Sequence, residues 1–148
     1  MKRFDAAFLV LSWVVMGFSF AFFVPMAWDW FGEGGDHVRV WGWCFLFTLA
    51  TGGWLWVRTR HAHRELTVRD GFLLVTLVWV VMPAYASLPL LFTVQGISFT
   101  DAYFEAVSGL TATGATALAG LDLLAPSVNI WRCFLQLIGG LGIMLLAV

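Results

Sequence analysis

Four apolar runs, at residues 6–28, 38–57, 71–92 and 127–148, limit what this chain can become. A helix crossing a hydrocarbon core of about 30 Å needs about 20 residues, and each run is that long. With 61% hydrophobic and only 11% charged residues, the chain cannot cover its surface with polar groups, so membrane lipid is its expected surrounding. A net charge of −1 gives no basic field, and no finger, basic-helix or RNA-binding signature is present, so no nucleic-acid partner is expected. Lys2 and Arg3 resemble the flank of a signal peptide, but the apolar part that follows exceeds the usual length of about 7–15 residues and reads as a retained span. Cys44 and Cys133 lie inside apolar runs without a C-x-x-C spacing and read as small hydrophobes.

The cations predict an orientation. Lys2 and Arg3 precede the first span, and Arg58, Arg60, Arg64 and Arg69 lie in "RTRHAHRELTVRD" between the second and third. The connection "DWFGEGGDH" at 29–37 is acidic, and residues 93–126 contain no Lys or Arg. The positive-inside bias therefore places the N-terminus and the 58–70 loop in the cytoplasm, leaving the other two connections outside. Trp28, Trp30, Trp41, Trp43 and Trp131 fall at the expected outer interface, and Trp54 and Trp56 at the inner one, as an aromatic belt requires. Trp13 and Trp79 read as packing residues, Pro83 and Pro89 as kinks in the third span, and "GGLG" at 139–142 as close helix packing.

The segment between the last two spans is soft and rich in hydroxyls. "SFTDAYFEAV" at 98–107 starts a helix: Ser98 or Thr100 can cap it, and Asp101 and Glu105 suit its first turns. A helix from Asp101 to Leu110 would be about 15 Å long, half a bilayer. "TATGAT" at 111–116 then disfavours helix, and an extended run of about five residues would climb back about 16 Å. Irregular backbone at membrane depth is tolerated only inside protein or beside a watery cavity. Carbonyls of such a segment can replace the water around a cation, and the negative end of the short helix would favour one there. The competing reading is an outer loop carrying a short surface helix. The expected fold class is an all-α membrane protein with one re-entrant pore helix and an extended filter loop.

"FTDAYFEAVSGLTATGAT" followed by "WRCFLQLIGGLGIMLLAV" resembles the first pore repeat of the Trk/Ktr/HKT potassium transporters, most closely the bacterial TrkH-type subunits. In that family a helix, a pore loop and a second helix repeat four times around one potassium pathway, with one characteristic glycine per loop. The resemblance divides the chain into 1–68, two N-terminal transmembrane helices, and 69–148, the first repeat. It implies that Thr111, Ala112, Thr113, Gly114 and Ala115 line a selectivity filter, with Gly114 the filter glycine and K⁺ held by the main-chain carbonyls of Ala112, Thr113 and Gly114. It further implies potassium uptake at the bacterial inner membrane, no enzymatic activity and no cofactor, potassium being the transported substrate. The implied partners are the remaining pore repeats, a second copy in a homodimer of the full-length protein, and a cytoplasmic nucleotide-binding regulatory subunit of the TrkA type.

One loop supplies a quarter of a ring. The chain stops at Val148 in an apolar run, so the front part of a longer protein is expected. The alternatives are a short subunit forming a homotetrameric cation channel, a non-conducting membrane scaffold, and an intramembrane enzyme built on Ser108. The last lacks a base, because His37, His61 and His63 all lie in loops. "HAH" at 61–63 is too small for a closed metal site and reads as solvated loop. Arg132 and Gln136 share a helical face, with Arg132 expected to snorkel or to meet Asp122, and Asp101 and Glu105 add negative potential at the outer mouth.

Overall fold

The computed structural model describes residues 5–32, 34–61 and 67–146. All regular structure among them is helical: α1 (Asp5–Ser19), α2 (Phe23–Gly32), α3 (Val38–Thr59), α4 (Val68–Thr93), α5 (Phe99–Leu110) and α6 (Pro126–Leu146). The first expected span is broken. A 3-10 turn, Phe20–Phe22, separates α1 from α2, and Pro25 follows it. Pro25 has no N–H for the Ala21 carbonyl, and its ring crowds that carbonyl, so the helix tightens one turn earlier.

Three helical segments, Asp5–Gly32, Val38–Thr59 and Val68–Thr93, are long and apolar enough to cross a membrane. The fourth expected span forms α6, whose 21 residues give it the length to cross as well. The outward faces carry large apolar side chains such as Phe31, Phe72 and Trp43, at 87%, 73% and 72% exposure, as lipid solvation demands.

α1 and α3 run antiparallel: Trp13 meets Trp56 edge-on at 6.5 Å, and Phe20 meets Phe45 at 5.9 Å. The tight connection between α2 and α3 is held by Asp29, which is fully buried and accepts from the His37 N–H at 3.0 Å, while its own carbonyl accepts from Gly35 N–H. α4 begins with a capping box, Thr67 accepting from Asp70 N–H and Asp70 from Thr67 N–H. Its middle is tied to α3 by the Tyr85 hydroxyl, which donates to Thr51 Oγ1 at 2.8 Å.

The core centres on Trp131 of α6. Its ring stacks on Phe22 at 4.8 Å and meets Trp41 at 5.7 Å and Phe18 at 6.0 Å. Trp41 and Trp131 are both fully buried, so neither belongs to the interfacial belt where the sequence places them. Trp28, Trp30, Trp43 and Trp54 are exposed, whereas Trp13, read as a packing residue, is 60% exposed. Cys44 is buried, Cys133 is exposed, and both are free thiols.

α5 and α6 run in the same direction. Glu105 meets Arg132, Gly109 lies against Leu135, and the Leu110 carbonyl lies against Gly139. Advancing along one helix advances along the other. A Cβ on Gly139 would land on the Leu110 carbonyl, so this approach of backbones requires glycine there, and the close-packing reading of "GGLG" holds at that position. Gly140, by contrast, has open space beside it. Gly139→Ala is expected to lower thermal stability by about 1–3 kcal/mol or more, while Gly140→Ala leaves it unchanged or raises it. Thermal unfolding of the two variants in detergent makes the comparison.

Candidate functional site

α5 starts where the sequence places a cap. Ser98 Oγ accepts from Asp101 N–H at 3.1 Å and donates to the Asp101 carboxylate at 2.7 Å. Its 12 residues give a length of about 18 Å. The helix ends in a paired-bond reversal: Thr113 N–H donates to the Ser108 carbonyl at 3.0 Å and Ala112 N–H to the Gly109 carbonyl at 2.9 Å. This termination usually carries glycine in the left-handed position; here Ala112 occupies it, at φ 54°. Thr111 closes the end, its hydroxyl donating to the Val107 carbonyl and pairing with the Thr113 hydroxyl, both at 2.8 Å.

The chain then doubles back along its own helix, its only regular structure among the described residues a 3-10 turn at Leu121–Leu123. Ala115 returns to Ser108, whose hydroxyl donates to the Ala115 carbonyl at 2.6 Å. Two residues on, Ala117 N–H donates to Glu105 Oε1 at 2.6 Å. Position 115 lies beside 108 and 117 beside 105, so this limb runs opposite to α5. Because α6 runs parallel to α5, residues 111–125 carry the chain back to the level at which α5 began.

α6 measures how deep the reversal lies. Gly139, beside the end of α5, is about 20 Å along the axis from Pro126. Gly114 approaches Gln136, about 15 Å along, its hypothetical Cβ lying 3.8 Å from Gln136 Nε2. Thr111 to Ala115 therefore lie level with the middle of α6 and interrupt the helical path.

The structure brings the five sequence-predicted residues into one turn, in different roles. Gly114 adopts φ 74°, a region that side chains other than glycine enter with strain. The carbonyls of Ala112, Thr113 and Gly114 receive no hydrogen bond from the described residues. The Ala115 carbonyl is held inward by Ser108, so its main-chain oxygen is already engaged. Residues 112–117 are exposed on the side away from α5 and α6.

Glu105 is the residue whose role the sequence reading missed. It is 3% exposed, so it is no surface charge at an outer mouth. One carboxylate oxygen accepts from the Thr116 hydroxyl at 2.6 Å, from Ala117 N–H and from Leu118 N–H at 3.4 Å. The other accepts from Arg132 Nε at 2.9 Å, so Arg132 pairs with Glu105 and not with Asp122. The carboxylate thus ties the returning limb to α5 and to α6 at once. The only signal in the sequence was an acid and a base in two neighbouring apolar helices, where unpaired charges are costly. Ser108 is likewise occupied structurally. His63 and Arg64 of the basic loop lie outside the described residues.

Breaking this clamp strands a part-buried guanidinium and two loop amides. Glu105→Ala is expected to cost about 3–5 kcal/mol, read as a fall in thermal stability in detergent. Glu105→Gln, which keeps an acceptor for the loop but loses the charge facing Arg132, is expected to fall between that variant and the parent.

The sequence model of TrkH, a cation transport protein family, matches residues 42–148. The chain is 48% identical over 102 residues to the Trk system potassium uptake protein TrkH of Halomonas elongata, covering 68% of this chain and 21% of that protein. It is 46% identical over 105 residues to the protein of the same name from Escherichia coli K12, covering 70% and 22%. The crystal structure of the potassium transporter TrkH from Vibrio parahaemolyticus matches with a TM-score of 0.90 at 35% identity, over 99% of this chain and 31% of that one. The chain thus spans about a fifth of the length of the curated relatives it matches. By sequence and by fold, the chain belongs to the TrkH family of cation transport proteins.

Proposed function

We propose that this chain serves potassium uptake, with residues 69–148 forming the first of four helix–loop–helix repeats and residues 1–68 two helices that precede them. In this reading Thr111 to Ala115 supply a quarter of a selectivity filter. The observation that carries it is the reversal at 111–115. A half-length helix points into the middle of the bundle, the chain returns alongside it, and three successive carbonyls at the turn are left without donors among the described residues. Such oxygens suit a dehydrated monovalent cation. The Ala112, Thr113 and Gly114 carbonyls are assigned to K⁺, while Ala115 contributes by fixing the turn through Ser108.

The helical geometry favours the cation in a second way. α5 ends at the turn, and the partial negative charge of its C-terminus falls there. Glu105 and Arg132 neutralise each other behind the loop, so the field at the turn comes chiefly from peptide dipoles. Selection among monovalent cations then rests on how rigidly those dipoles are held, which is the work of the bonds from Glu105 and Ser108.

The cation bias of the loops supports an inner-membrane orientation with the N-terminus and residues 58–70 cytoplasmic. The names of the relatives, potassium uptake proteins of the Trk system, support potassium as the substrate. By the same kinship we assign the complete protein a homodimeric state and a cytoplasmic nucleotide-binding regulatory subunit of the TrkA type.

Gly114→Ser places a side chain at φ 74° and is expected to abolish the preference for K⁺ over Na⁺ in the full-length protein. Potassium-dependent growth of an uptake-deficient strain, together with K⁺ and Na⁺ flux into proteoliposomes, measures it. An unchanged cation preference removes the filter assignment.

A further inference from the structure

The two prolines of α4 stand in the same relation to two side-chain hydrogen bonds. The Tyr103 hydroxyl of α5 donates to the Val80 carbonyl at 3.0 Å, and Val80 lies three residues before Pro83. The Trp131 indole N–H of α6 donates to the Ala86 carbonyl at 3.0 Å, and Ala86 lies three residues before Pro89. Each proline cannot donate to the carbonyl four residues back, Trp79 or Tyr85, and its ring pushes that carbonyl aside. The helix wall opens there, and the next carbonyl along becomes reachable from a neighbouring helix. In lipid such a backbone acceptor has no water to compete for it.

We propose that Pro83 and Pro89 are docking points and not hinges: each opens one carbonyl of α4 to a side-chain donor, Tyr103 for the pore helix and Trp131 for α6. Tyr103 and Trp131 are then positioning residues for the filter, and this inference rests on the filter reading above. α5 carries the reversal at its C-terminal end, so a latch between Tyr103 and α4 sets the tilt of the helix that aims the turn. Trp131 fixes α6, whose Arg132 is the next residue and holds Glu105, which holds the returning limb. The two latches lie six residues apart on α4 and serve the two helices flanking the loop. Tyr103 is only partly buried, whereas Trp131 is fully buried.

The test is a pair of double-mutant cycles in the full-length protein, reading thermal stability and the K⁺-over-Na⁺ preference. Tyr103→Phe keeps the ring and removes the donor, and Pro83→Ala closes the helix wall. Each is expected to lower the preference at least about threefold, and the double variant is expected to be no worse than either single one. Tyr103→Phe combined with Pro89→Ala is expected to be additive. Trp131→Phe with Pro89→Ala repeats the design on stability, where the buried indole dominates. Additive behaviour of Tyr103 with Pro83, or an unchanged preference in Tyr103→Phe while Gly114→Ser abolishes it, overturns the proposal. If Gly114→Ser itself leaves the preference unchanged, the filter reading fails. The latches are then judged on stability alone, where coupling within each proline–donor pair upholds them and additivity overturns them.

Discussion

A peptide chain that turns round at membrane depth must satisfy its own backbone, because hydrocarbon offers neither donors nor acceptors. In this structure the last carbonyls of α5 take the amides of 111–114, and one carboxylate takes those of 117 and 118. Glu105 takes a hydroxyl and two amides of the returning limb on one oxygen and the Arg132 guanidinium on the other. Without the arginine the acid would be an uncompensated charge among apolar helices; without the acid the Thr116 hydroxyl and the Ala117 and Leu118 amides would lose their acceptor on α5. The ion pair is therefore a structural fastener whose Coulomb energy is spent on desolvation and whose net effect is to fix a path for the chain.

Around that fastener, the backbone is brought close in two ways. On one side Gly139 lets α6 press against the last carbonyl of α5, which sets the depth of the helix end. On the other, α4 offers its own carbonyls to Tyr103 and Trp131. The short helix thus packs between Gly139 of α6 and the two-proline helix α4, and the irregular segment leaves from its end. Trp131 joins the two systems, since its ring fills the aromatic core with Phe18, Phe22 and Trp41 while its N–H reaches α4.

What could be read from the sequence was what depends on neighbours along the chain. Run length and hydropathy give the spans; Ser98 with Asp101 gives the helix start; Thr111 to Gly114 gives the end of helix and the turn. What escaped was what depends on facing. Trp41 and Trp131 have the composition of an interfacial belt, yet they point inward, and no periodicity in a helix apolar all round says which side meets protein. Glu105 looks like a first-turn acid and Arg132 like a snorkelling anchor, because each has a sufficient local explanation and their pairing spans 27 positions. The left-handed Ala112 carries no glycine to announce it. The break before Pro25 was hidden because the apolar run continues through it.

The separation of Glu105 and Arg132 also bears on biogenesis. The acid leaves the ribosome first, and the base follows 27 residues later, a delay of about 1–5 s at usual rates of synthesis. Until the second helix of the repeat arrives, the short helix carries a charge that the bilayer rejects by about 2.5–3.5 kcal/mol. The two charges neutralise each other only once both helices have left the ribosome. Topogenesis of this segment is therefore post-scripted: the short helix meets its charge partner on a helix that leaves the ribosome after it.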